Sequence, residues 1–194
     1  MALAGTFSEA ATQRRAPTRC CCALESVMHR IKLMAVIIGS CLLLAGGYLL
    51  WDEHAHAMRA VRSFDVGDAS RPQHVLIATQ GSAFKDALVA GVLVALQSRP
   101  VYVRVIDVSA LRAVHENDWN AIIIAHTWEF GRAQADARAF VDRVPDKNKL
   151  IVVTTSGGGR EKLPGIDAIS AASVMDDTPA RVAEVTGRLD AVLQ

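Results

Sequence analysis

Hydrophobic positions along the chain fall into two regimes. From Leu33 to Leu50 the sequence LMAVIIGSCLLLAGGYLL holds no charged side chain and no polar stripe of the kind a surface helix shows. As a helix rising roughly 1.5 Å per residue it extends about 27 Å, close to the roughly 30 Å of hydrocarbon in a bilayer. Arg30 and Lys32 precede the run, Tyr48 and Trp51 mark its end, and Asp52 and Glu53 follow at once. These are the flanks of a single membrane span over residues 33–51. A cleaved signal peptide competes, because Ala55-His56-Ala57 forms a small-x-small triplet, but the run exceeds the usual signal core and the triplet lies several polar residues beyond it. A lipoprotein reading through Ile38-Gly39-Ser40-Cys41 leaves Cys41 in mid-run and LLLAGGYLL as a greasy terminus.

From His74 the rhythm changes to that of alternating strands and helices. His74–Thr79 (HVLIAT) is a short continuous apolar run rich in β-branched residues, the pattern of a strand buried on both faces of a parallel sheet. Phe84–Gln97 follows with helical spacing, and Val101–Asp107 (VYVRVID) reads as a second strand. A short helical piece around Leu111–Glu116 leads to a third strand, Ala121–His126 (AIIIAH). Gln134–Val144 is an amphipathic helix with Ala137, Phe140, Val141 and Val144 inward, and Leu150–Thr155 (LIVVTT) is a fourth strand. A weaker fifth, Ala168–Ala172, precedes a last helix from Pro179, a residue suited to a first turn, to about Leu193. Such alternation predicts an α/β fold with a doubly wound parallel sheet of about five strands.

Around these regimes the chain divides into a leader (1–32), the anchor (33–51), a spacer (52–73) and one domain (74–194). The leader is small, polar and patternless, and reads as disordered; Met28, opening MHRIKLMAVIIG, is a second candidate start. In the spacer, WDEHAHAMRAVRSF reads as a short juxtamembrane helix that Gly67, Asp68, Ser70 and Pro72 terminate. His54 and His56 lie two apart, on different helix faces, and make no metal pair. Counted from Met1, Arg14, Arg15, Arg19, Arg30 and Lys32 outnumber Arg59 and Arg62 beyond the span, which places the N-terminus in the cytoplasm. Counted from Met28 that bias nearly vanishes. The expected location is the inner (plasma) membrane, with the side of the soluble domain open.

Composition narrows the partners. Lys and Arg number 21 against 20 Asp and Glu, a formal charge of +1, and the signs are interspersed, so nucleic acid is not an expected partner. All 4 cysteines, at positions 20, 21, 22 and 41, precede the domain, which therefore has no disulfide, thiolate nucleophile or cysteine metal site.

In open α/β sheets ligands bind beyond the carboxyl ends of the strands, which selects three loops. The first is Thr79-Gln80-Gly81-Ser82-Ala83, where hydroxyls, a glycine and a helix N-terminus make the ingredients of an anion cradle. The second, from His126-Thr127-Trp128 to Gly131, offers a flat aromatic ring. In the third, Thr155-Ser156-Gly157-Gly158-Gly159, three glycines permit close approach of a planar ligand. Glu129 beside His126 is an acid/base pair without a nucleophile or metal, which argues against hydrolase chemistry. Lys85, in the first turn of its helix, opposes the dipole and reads as solvated, or as a substitute for missing hydroxyls.

Through VLIATQGSAFKDAL, DWNAIIIAHTWEF, AFVDRV, LIVVTTSGGG and GIDAISAAS, the stretch His74–Leu193 resembles the flavodoxin-like domains, and among them the small, shortened, membrane-anchored members. The resemblance implies strand order 2-1-3-4-5 and FMN as cofactor. It places the phosphate at Thr79, Gln80, Gly81, Ser82 and Ala83, and the isoalloxazine ring between His126, Thr127 and Trp128 on one side and Thr155 through Gly159 on the other. Two departures stand out. Ser82, Ala83 and Phe84 occupy the stretch where the family's loop carries further Ser, Thr and Asn, and Ser156 to Asp167 is too short for the usual helix between the last two strands. Two functions follow: a membrane-tethered FMN protein with an electron-transfer or oxidoreductase role and a redox partner protein, or a module that lacks the cofactor and acts as a binding or scaffold domain at the membrane through Leu33–Trp51.

Overall fold

The computed structural model describes residues 19–56 and 58–194, with side chains from residue 27 to 49 and from residue 58 onward. It divides into two compact units, the second of which begins at Met58. The leader over residues 1–18 and the side chains of Cys20–Cys22, Trp51, His54 and His56 lie outside the described residues.

The described residues of the first unit form one helix, α1 (Arg19–His56). Its start lies within the stretch that reads as an unstructured leader. Val27–Leu49 is long and apolar enough to cross a membrane, with a mean hydropathy of 1.9 and none of it buried within the protein. Leu42, Leu43 and Leu44 are exposed in succession, so the apolar surface runs around the helix rather than along one face.

The second unit is built on a sheet whose strands are β1 (Phe64–Val66), β2 (Gln73–Thr79), β3 (Val101–Asp107), β4 (Ala121–Glu129), β5 (Arg132–Ala133), β6 (Leu150–Thr155) and β7 (Ile169–Ala171). Its helices are α2 (Ala83–Leu96), α3 (Ala135–Arg143) and α4 (Thr178–Val192). The order across the sheet is β1-β3-β2-β4-β6-β7, with β5 paired to β4. The β3-β2-β4-β6-β7 path is parallel throughout and reproduces the order 2-1-3-4-5 expected from the sequence. The region around Leu111–Glu116, expected as a helical piece, falls in two short 3-10 turns, Val108–Ala113 and Glu116–Asp118.

Side-chain alternation assigns each strand residue a face. Val75 and Ile77, Ala121, Ile123 and Ala125, and Ile151 and Val153 pack with Leu88, Val89, Val92 and Leu96 of α2 and Val185 and Leu189 of α4. Leu76 and Ala78, Ile122 and Ile124, and Leu150 and Val152 pack with Ala137, Phe140 and Val141 of α3. Each fully buried aliphatic contributes about 1.5–3 kcal/mol relative to exposure, so both faces are well supported. Between α2 and α4 the approach is close, since a Cβ at Gly91 lies 2.5 Å from Val182 Cγ2. Between β6 and β7 there is no helix, as the short segment implies; Leu163 and Ala168 are buried against the α3 face where a helix normally lies.

Three features differ from the sequence reading. The spacer is not helical from Met58 onward: Arg59 forms an antiparallel bridge with Gly81, and Phe64–Val66 pairs antiparallel with Val103–Val105. Tertiary pairing overrides local helix preference here, and Gly67, at φ 86 against the Val101 carbonyl, turns the chain from β1 toward β2. Thr127 and Trp128 are not in a loop: the strand expected to end at His126 continues in β4 as far as Glu129, because Thr and Trp suit a pleated surface and the pairing with β6 persists to Thr127↔Thr155. The strand then turns into a hairpin through Phe130 (φ 49) and Gly131 (φ 74), with Trp128 opposite Ala133, the positive-φ pair that tight hairpins require.

Candidate functional site

The carboxyl ends of β2, β4 and β6 replace aliphatics with polar side chains, and alternation sorts these as it sorts the core. Thr79, Thr127 and Thr155 share the parity of the α2 face; His126 and Thr154, which are register partners, share that of the α3 face.

On the α3 side, His126 is fully buried. Its Nδ1 lies 3.2 Å from the Thr127 carbonyl, and its Nε2 lies 3.0 Å from Thr154 Oγ1. A carbonyl only accepts, so Nδ1 carries the proton and Nε2 accepts from the threonine hydroxyl. Burial pushes the imidazole down to about 4; the Thr127 carbonyl resists this and the Lys85 charge adds to it. His126 is thus a neutral strut joining β4 to β6, with both ring nitrogens engaged inside the protein.

The α2 side holds a residue read as solvated in the sequence. Lys85 is buried, with a relative exposure of 0%. Its ammonium donates to Thr127 Oγ1 at 2.5 Å and to the Met58 thioether at 3.5 Å. Burial pulls it down to about 8, against the opposing attraction of Glu129 and Asp86. Neither carboxylate forms an ion pair with it. The sequence did carry a signal: Lys85, Val89, Val92 and Leu96 follow the i, i+4, i+7, i+11 spacing of a buried helical stripe, and all four are buried in α2. Thr155 Oγ1 lies 3.3 Å from both Thr127 Oγ1 and the His126 carbonyl, and the Thr127 N–H donates to Gln80 Oε1 at 2.7 Å. These contacts bring Gln80, Thr127 and Thr155 together from the first, second and third candidate segments.

At Gln80, Gly81 and the Ser82 hydroxyl the first loop spends its polar groups on the protein itself. Gly81 N–H donates to the Arg59 carbonyl at 2.8 Å, and Arg59 N–H donates to the Gly81 carbonyl at 3.2 Å. Ser82 is the N-cap of α2, its Oγ accepting from Lys85 N–H at 3.3 Å. Gln80 N–H donates to the Ala125 carbonyl at 3.3 Å, and Thr79 Oγ1 donates to the Gln80 carbonyl at 3.3 Å. Ala83 is exposed in the first turn of α2. A Cβ at Gly81 meets the Arg59 carbonyl oxygen at 2.7 Å, so the space that a phosphate needs above this glycine is filled by the chain.

The third loop is different. Ser156 is 8% exposed and its hydroxyl has no partner, although its backbone N–H donates to the Ala171 carbonyl and its carbonyl accepts from Gly159 N–H. Gly157 and Gly158 border open space, while Gly159, at φ 61, packs on Ala172. Trp128 is half-buried within the hairpin and does not line the depression of about 400 Å³ formed by Thr127, Glu129, Phe130, Arg132 and Gln134. The ring side keeps an unsatisfied hydroxyl beside open glycine backbone, while the space over Gly81 on the phosphate side is filled. FMN does not fit the first loop as it stands.

An open sheet with parallel order 2-1-3-4-5 and helices on both faces defines a doubly wound α/β domain of flavodoxin-like connectivity. Comparison with protein-family models and with curated proteins gives no match. Among solved structures, an oxidoreductase from Corynebacterium diphtheriae aligns at 14% identity and TM-score 0.41, covering 63% of this chain and 97% of its own. Oxidised Flavodoxin 2 from Bacillus cereus aligns at 14% identity and TM-score 0.37, covering 60% of this chain and 98% of its own. At such similarity it is the strand order in this chain, not the neighbours, that defines the class.

Proposed function

We propose that the chain is a membrane-tethered flavodoxin-like module that serves as a binding domain at the inner membrane and does not take up FMN while Met58–Val61 lies over the first loop. The observation that carries this reading is the pairing of Gly81 with Arg59, which consumes the backbone N–H nearest the expected phosphate and fills the volume above it. The apolar surface of Val27–Leu49 supports the tether.

Two measurements test the parts separately. After alkaline carbonate extraction the full chain is expected in the membrane pellet; release into the supernatant overturns the tether. In detergent micelles, titration with FMN is expected to leave flavin absorbance and fluorescence unchanged, and a one-to-one complex of micromolar affinity overturns the cofactor-free reading. A second reading, FMN binding with an electron-transfer or oxidoreductase role and a redox partner protein, draws support from the orphan Ser156 hydroxyl beside the open Gly157-Gly158 backbone. It is the reading that such a complex would establish.

A further inference from the structure

We propose that Met58–Val61 is a displaceable latch, and that the Lys85 ammonium beneath it receives a small oxyanion, a phosphate or carboxylate group, when the latch lifts. The attachment is slight and local. It consists of the two Arg59–Gly81 backbone hydrogen bonds, the Val61 N–H to Asp107 Oδ2 at 2.9 Å, Met58 Sδ on Lys85 Nζ, and the Val61 side chain against the α2-face core. The Arg59–Asp86 ion pair, at 3.5 Å between side chains 75% and 52% exposed, adds little. Arg59 and Ala60 are exposed, and of the half-buried Met58 and Val61 only Val61 packs against the α2-face core, so lifting the segment uncovers the apolar contacts of two partly buried side chains.

What lies beneath is a cation in a poor setting. Lys85 has three donors, of which Thr127 Oγ1 takes one and a thioether, a weak acceptor, faces another. Buried charges are ordinarily matched by an opposite charge, and among the described residues no carboxylate ion-pairs with Lys85. The charged groups around it are Asp86 on α2 and Glu129 on β4, which attract it, and His126 on β4, which is neutral. An oxyanion supplies the missing charge together with good acceptors, and Thr127 Oγ1 lies beside its path. Closed, the latch gives Lys85 sulfur; open, the site offers it oxygen.

The inference goes beyond the cofactor-free reading and is tested with a different probe. Full-length protein in detergent micelles is followed by amide hydrogen exchange in inorganic phosphate and in sodium chloride of equal ionic strength. Phosphate is expected to accelerate exchange at Arg59 and Gly81 by about tenfold, while the amides of β4 and β6 stay protected. Arg59→Pro removes the N–H that donates to Gly81, and is expected to give fast exchange at Gly81 without phosphate and tighter phosphate binding by calorimetry. Lys85→Met is expected to retain a slow Gly81 amide that phosphate does not affect. Exchange at Gly81 only with global unfolding in phosphate, or an equal phosphate effect in wild type and Lys85→Met, overturns the latch. FMN binding by the wild type would overturn the earlier reading and leaves this comparison standing.

Discussion

Replacing Lys85 with Met is expected to stabilise the full chain at neutral pH and to abolish a rise in stability that the wild type shows on the alkaline side. The folded ammonium titrates near 8 and the unfolded one at 10.5. Below pH 8 both states hold the proton, and the folded state bears the full cost of a buried charge. Between 8 and 10.5 the unfolded chain holds a proton that the folded chain has released, so stability climbs with pH and then levels. At 1.36 kcal/mol per pKa unit the climb is about 3 kcal/mol. Met retains the length and apolar stem, so the variant is expected to gain roughly 1–3 kcal/mol at neutral pH, the lost Thr127 hydrogen bond offsetting part of the benefit. Urea unfolding in detergent micelles at a series of pH values checks both; a flat wild-type profile above pH 8 contradicts the burial of the charge.

His126 sets the opposite limb. Its folded value near 4 lies below the ordinary 6.5. As pH falls below 6.5 the unfolded chain binds a proton that the folded imidazole refuses, and stability declines until pH 4 by about 3 kcal/mol. Gln at this position keeps a donor and an acceptor without the titration. His126→Gln is therefore expected to be less stable at neutral pH but to flatten the acid limb, the difference between the two profiles isolating the imidazole from carboxylates such as Asp107. Parallel profiles for wild type and variant count against a neutral strut.

Much of the architecture was legible where a local pattern and the tertiary structure agree. Val101–Asp107 and Leu150–Thr155 are rich in β-branched apolar residues, and their boundaries coincide with β3 and β6. The α3 helix lies inside the expected Gln134–Val144, with Gln134 as its cap, accepting from Ala137 N–H at 2.7 Å. What could not be read depends on partners distant in sequence. Phe64–Val66 has no period of its own and becomes a strand only beside β3, and Arg59 adopts its extended form only against Gly81. The end of β4 beyond His126 was lost because Thr127 is polar and looks like a loop, whereas its pairing with Thr155 and its N–H bond to Gln80 make a polar residue acceptable there. Lys85 was misjudged because the helix dipole argument considers one turn, while burial is decided by the stripe that continues to Leu96. The third loop kept its expected openness, since two of its three glycines pack against nothing.

Both borders of the sheet end in strands of 3 residues, β1 on one side and β7 on the other. The longer β3, of 7 residues, is capped at its centre by β1, and Asp65 of that cap faces Arg104 at 3.6 Å. A free ladder as long as β3 is a template onto which another copy can add its own strand, and a short border, charged in β1, reduces that template. Copies held at high local density can therefore crowd together without zipping into a shared ribbon.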